Sequence, residues 1–275
     1  MTNMHPLDHA TALGGAPGDP MRTARTSDTY WTFISPFGGA SAATALRSVL
    51  ERPERNGDPI ALTVNFCAPI ERGEFSVATR LVRANRSSQH WSVEFTQQGS
   101  DEAVLTASIV TAVRRATWSH QVVVPPAFLP AWDDLAPFAN GDALPWVAQY
   151  EFRFAETTDE RSETTFDPPR SPRSVLWIKD AEPRPLDFVS LAALSDAFLG
   201  RIFQVIGRIP PFGTVSMTTY FHASADELEA HGVAPLAAVA DARVFHRSFG
   251  DQTVELFGAG GQLLATAAQL AYFRV

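Results

Sequence analysis

The sequence predicts an α+β protein built from two tandem units. Each unit is an antiparallel sheet wrapped on one main helix, and the two pack as a pseudo-dimer within one chain. Three observations lead there. The segment "SVEFTQQGSDEAVLTASIV" (92–110) returns as "TVELFGAGGQLLATAAQLA" (253–271), each reading as a strand, a Gly-containing turn and a returning strand. Upstream, "LTVNFCAP" (62–69) is matched by "MTTYFHAS" (217–224), both rich in the β-branched and aromatic residues that suit a half-buried pleated surface. Before each of these stands one helical stretch, and the order is the same both times.

In the first unit the helix is read over Phe37–Leu50, where Gly38 and Gly39 open a run of good helix formers that ends before Pro53. In the second it is read as one helix through "LDFVSLAALSDAFLGRIF" (186–203), with Asp187 as its N-cap and Gly200 near its far end. Further strands are expected at "WVAQYEFRF", "SVLWIKD", "TVSMTTYFHA" and "LAAVADARVFHR". Strands that follow one another without intervening helices favour antiparallel pairing, an α+β and not a βαβ layout. One helix covers one sheet face, so two units packed sheet to sheet are expected to cover the rest. The units are placed at 1–120 and 146–275, the second carrying the candidate site. Residues 121–145 form a Pro- and Ala-rich connector anchored by Phe128, Trp132 and Phe138.

The chain has 275 residues, 45% of them hydrophobic and 19% charged, enough for one large core or two ordinary ones. A net charge of -8 and a pI near 5.3 exclude a basic nucleic-acid surface. Lys179 is the single lysine, so phosphates would have to be met by arginines such as Arg80, Arg83, Arg86 or Arg208, whose ordinary state is solvent exposure. Cys67 is the single cysteine, which rules out an internal disulfide; in the apolar run "ALTVNFCAPI" it is expected as a buried, inert thiol. The first residues show no signal-peptide pattern and no apolar run reaches membrane-spanning length, so a cytoplasmic protein without membrane contact is expected. There is no G-x-S-x-G elbow, phosphate loop or dinucleotide fingerprint, and His222, His231 and His246 show no paired spacing. Neither a metal site nor a cofactor is called for.

Three residues stand out. With helical spacing, Asp196 shares the stripe of Val189, Ala192, Ala193 and Gly200, and its apolar flanks leave little polar face, so a buried or cleft position is expected over a solvated one. A partly desolvated, hydrogen-bonded carboxylate is a reasonable general base. By strict alternation Gln269 lies in a row with Leu263, Ala265, Ala267, Ala271 and Phe273. It is either a structural amide tying two strands or part of a site, and letter alignment puts Val110 at its place in the first copy, so the fold does not require the amide. Thr214, at the start of its strand, is unremarkable on physical grounds alone.

Taken together and in order, "PFGGASAATALRSVL", "PLDFVSLAALSDAF", "TVSMTTYFHA" and "LLATAAQLA" resemble the TesB-like acyl-CoA thioesterases, from about Leu7 to Val275. The resemblance implies the double hotdog fold. It also implies hydrolysis of an acyl-CoA by a water held between Asp196, Thr214 and Gln269, with no acyl-enzyme. The backbone N–H groups at Gly38 and Gly39 are expected to receive the thioester oxygen. Phe37, Leu194, Phe198 and Phe221 are expected to line the acyl slot, and the 19 phenylalanines point to a filled interior suited to short, medium or aromatic acyl groups. A hotdog enoyl-CoA hydratase would couple an Asp to a His a few residues on, and none lies between Asp196 and His222. An acyl-CoA-binding scaffold without activity is the other alternative, since fold alone does not assign function. Homo-oligomerisation through the sheets is also implied.

Overall fold

The computed structural model describes residues 4–97, 100–139, 144–156 and 170–275; part of the expected connector (140–143) and residues 98–99 of the expected first turn lie outside these. The first unit runs α1 (Pro6–Ala10), β1 (Met21–Arg25), α2 (Gly38–Leu50), β2 (Asp58–Phe66), β3 (Glu74–Ala84), β4 (Ser88–Gln97) and β5 (Ala103–Ala112). The second runs β6 (Tyr150–Glu156), β7 (Ser174–Asp180), α3 (Phe188–Leu194), α4 (Arg201–Ile206), β8 (Phe212–Phe221), α5 (Ala225–His231), β9 (Leu236–Asp241), β10 (Phe245–His246), β11 (Phe249–Phe257) and β12 (Leu263–Phe273). No helix among the described residues is long and apolar enough to cross a membrane.

The two units join at their edges. Their strands form one 12-stranded sheet in the order β1-β3-β4-β5-β2-β8-β12-β11-β9-β7-β6, with β10 on β11, and each pairing is antiparallel. The seam is β2 against β8, the two strands read from the sequence as copies; Thr63 lies opposite Thr218 and their hydroxyls are 3.0 Å apart. The expected face-to-face packing is therefore corrected to edge-to-edge. Left apart, β2 and β8 would each present an open row of backbone donors and acceptors, and pairing them satisfies both rows at once.

Helices α2 and α3 sit on one face of this sheet, and one continuous core runs beneath them from Leu46, Trp91 and Ile109 to Leu191, Met217 and Leu256. Small residues explain the close fit: Ala40, Ala42, Ala43 and Ala45 of α2 and Ala192 and Ala193 of α3 are buried. The hydroxyls that share this stripe are satisfied within the helix, as when Thr44 donates to the Ala40 carbonyl at 2.8 Å. On the opposite face of β7, β9 and β11, the connector packs Val123 and Leu129 against Val175, Ala237, Val239 and Phe257. Of its expected anchors, Trp132 takes Arg153 and Lys179 over its ring and Phe138 meets Phe154 edge-on, whereas Phe128 is exposed.

The second-unit helix is not one helix but two. Asp187 begins α3 with a capping box, accepting from the Ser190 N–H at 2.8 Å while the Ser190 hydroxyl takes the Asp187 N–H. After Leu194 the bonds tighten: Asp196 N–H reaches Ala193 and Ala197 N–H reaches Leu194, each three residues back, and the chain leaves the helix until Gly200 caps α4. Replacing Asp187 by Ala is expected to lower stability by about 1 kcal/mol, because the first-turn N–H group loses its acceptor; denaturant unfolding measures this, and an unchanged midpoint would show that the cap contributes nothing.

Candidate active site

Asp196 lies in the break after α3, not inside a helix, and the break is what aims it. Asp196 is 8% exposed, its Oδ1 accepts from Gln269 Nε2 at 2.6 Å, and the backbone N–H of Gly39 in the first turn of α2 donates to its carboxylate. A Cβ on Gly38 would come within 2.7 Å of Asp196 Oδ2, and one on Gly39 within 2.5 Å of the Ala193 carbonyl oxygen. Gly39 is thus required by the close approach of the two helices, and Gly38 leaves room for the Asp196 carboxylate. Burial pushes the Asp196 carboxyl up to about 7, and the bonds from Gln269 and Gly39 offset only part of that.

Gln269 projects from β12 into the same space, opposite Met217 of β8 and Gln252 of β11. Thr214 Oγ1 donates to Gln269 Oε1 at 3.4 Å. A β-bulge makes this contact: Leu270 pairs with Ser216 but Ala271 with Thr214, so Val215 is skipped and Thr214 falls opposite an inward-facing residue. Strict alternation from Met217 points to Val215 instead, and so overlooks the threonine.

The first copy's counterpart of Gln269 is Ile109, not Val110. Ile109 pairs with Leu62 as Gln269 pairs with Met217, and the Val104 and Leu264 carbonyls each accept two N–H groups from the chain just beyond the neighbouring strand. The hydrogen-bond ladder, not the letter match, fixes equivalence; Val110 is on the sheet's other face. The same frame sets Trp91 opposite Ile109 where Gln252 stands opposite Gln269, so this facing pair of amides belongs to the second unit alone.

These three groups open onto a cavity of about 690 Å³ with walls from both units. Phe37, Gly38 and Phe198 line it, together with Phe66, Phe212 and Trp146, whose ring stacks on Phe37 at 4.4 Å. Two expected lining residues do not. Leu194 faces a separate pocket beside Asp180 and Arg184, and Phe221 is buried edge-on to Phe188, seven residues and roughly 20 Å along β8 from Thr214. Gly39 does not line the cavity either; its N–H, expected for the thioester oxygen, is engaged by Asp196. Cys67 follows the last residue of β2 and is exposed at the cavity wall, not buried. Arg80, Arg83 and Arg86 are exposed and line no part of this cavity, while exposed Arg208 borders a second one.

Sequence reasoning passed over Gln252. It is 4% exposed; its Oε1 accepts from the Arg201 N–H at 3.0 Å and its Nε2 donates to the Phe198 carbonyl at 3.3 Å, fastening both flanks of the irregular 197–200 segment to the sheet. The signal was available, for Gln252 interrupts an inward row of Gly250, Val254 and Leu256 just as Gln269 interrupts its own.

Comparison with known proteins fits this architecture. Residues 27–112 match the model of the acyl-CoA thioesterase N-terminal domain and residues 125–273 that of the acyl-CoA thioesterase C-terminal domain. The chain belongs to the acyl-CoA thioesterase family. As a member of it, the protein is a thioester hydrolase with the double hotdog fold. A solved hotdog protein of unknown function from Alicyclobacillus acidocaldarius is 37% identical, covers 99% of each chain and superposes with a TM-score of 0.91. A thioesterase II from Thermobifida fusca (20% identity, all of both chains, TM-score 0.81) and TesB2 from Mycobacterium marinum (17%, 98% of both chains, TM-score 0.74) share the thioesterase's fold. No curated protein matches it.

The raised Asp196 carboxyl has a consequence for stability. In an unfolded chain an Asp titrates near about 3.9, so between about 4 and 7 the folded thioesterase holds a proton that the unfolded chain has released. Stability from this group is full below about 4 and is lost as pH rises through about 7. The difference in unfolding free energy between wild type and Asp196→Asn is expected to move in the variant's favour across that window; a difference independent of pH would show an ordinary carboxyl.

Proposed function

We propose that this chain hydrolyses acyl-CoA thioesters by direct attack of a water held between Asp196, Gln269 and Thr214. The 2.6 Å contact between Asp196 and Gln269 at an apolar cavity carries the reading. In the ionised state Asp196 takes a proton from the water, whose oxygen adds to the thioester carbonyl carbon. The C–S bond then breaks, the proton passes from Asp196 to the departing thiolate, and the products are a carboxylic acid and free CoA thiol. The Gln269 amide, fixed by Asp196 on one side and Thr214 on the other, orients the water without taking part in bond changes. Gly38 leaves the positive end of helix α2 facing the cavity, where the carbonyl oxygen gains charge.

One feature supports hydrolysis over hydration. Among the described residues no histidine lines the cavity, which leaves a hydratase without its second proton-transfer group. The carboxyl near 7 is matched to proton transfer in both directions at neutral pH. Thiol release from acyl-CoAs is expected to rise with pH along a limb centred near 7, and to fall by about 100-fold or more in Asp196→Asn with KM little changed. Binding of acyl-CoA without thiol release, or release untouched by the substitution, would overturn the assignment.

A further inference from the structure

A second cavity of about 480 Å³ begins one residue after Asp196. It shares a wall with the first: Phe198, Leu199, Gly200, Phe203 and Ile209 border both, so the 197–200 segment and α4 form a thin partition with Asp196 at its edge. A thioester has two arms diverging from the carbonyl carbon. Two cavities meeting beside the group that acts on that carbon offer one arm each.

The chemistry of the linings decides which. Beyond the partition the second cavity is walled by Phe138, Val147, Phe152, Phe154 and Leu176, with Arg170 and the exposed Arg208 also bordering it. Its inner polar groups satisfy one another: Arg201 donates to the carbonyls of Leu199 and Pro172, to Ser174 Oγ and to Gln204 Oε1, and Gln204 donates to the Arg173 carbonyl. A pantetheine arm carries amides that need partners when they leave water, and an alkyl chain needs none. The hydroxyls of Thr32, Ser35, Ser41 and Thr214 border the first cavity; each donates within the protein, and each oxygen can still accept an amide N–H.

Resting on the thioesterase reading, we propose that the acyl chain turns past Phe198 into the second cavity while the pantetheine arm stays in the first. The Gln252-pinned partition then sets chain-length preference. Room for longer alkyl chains follows, beyond the short, medium or aromatic groups suggested by the phenylalanine count.

The test is calorimetric binding of non-hydrolysable S-alkyl-CoA thioethers from butyl to dodecyl, run beside hydrolysis of the matching acyl-CoAs. Wild-type affinity is expected to rise about fourfold per methylene as the cavity fills. Phe154→Trp and Leu176→Phe, which add volume at the wall of the second cavity and not of the first, are expected to weaken octyl and dodecyl binding by about tenfold or more while leaving the butyl compound unchanged. Retained butyl binding also reports that each variant folds. An affinity independent of chain length, or an equal loss for every thioether, would overturn the proposal, the latter by placing the pantetheine arm there. A chain-length gradient in binding with no hydrolysis would remove the catalytic reading and leave this one standing.

Discussion

How closely α2 can approach α3 governs the rest of this molecule. With glycine at 38 and 39, the first turn of α2 lies against the end of α3, and its Gly39 N–H meets a carboxylate that the second unit delivers. Any side chain at Gly39 would strike the Ala193 carbonyl and the Phe37 ring. The alanines that let both helices lie low on the sheet serve the same approach. A buried carboxylate is costly to keep charged, and here it has one backbone and one side-chain donor, enough to hold it in place and too few to return it to its ordinary acidity.

The edge-to-edge seam makes this approach possible across two units. Because β2 and β8 pair, the helix of each unit is carried to the other, and the site takes its glycines from the first copy and its acid, amide and hydroxyl from the second. Duplication supplied the frame, and divergence made it one-sided. Where the second unit places Gln252 and Gln269 side by side, the first has Trp91 and Ile109, both fully within the core.

The sequence showed much of this and hid certain parts for definable reasons. Repetition revealed the tandem units, and a lone amide in an apolar alternating row revealed Gln269. The register of the duplicate was misjudged by one residue, Val110 for Ile109, because letters align without regard to the hydrogen-bond ladder. The bulge at Val215 could not be seen, since nothing in "TVSMTTYF" marks which residue will be skipped, and so Thr214 came from family resemblance alone. The break in the second helix was also invisible. "SLAALSDAFL" has no glycine or proline to break a helix, and what ends the helix is tertiary: Asp196 is held by Gly39 and Gln269, and the freed backbone at Phe198 and Arg201 is taken up by Gln252. Leu194 and Phe221 followed from assuming an unbroken helix and one slot, and both serve the core.

The contact between the Gly39 amide and the Asp196 carboxylate joins the two halves of the chain within the site, and it can be observed directly. Proton–nitrogen NMR of the Gly39 amide across pH 5 to 9 is expected to show its proton resonance moving downfield with a midpoint near 7 as the carboxylate ionises, and to show no such movement in Asp196→Asn. A Gly39 resonance that ignores pH in the wild type, or one that titrates in both proteins, would contradict the account.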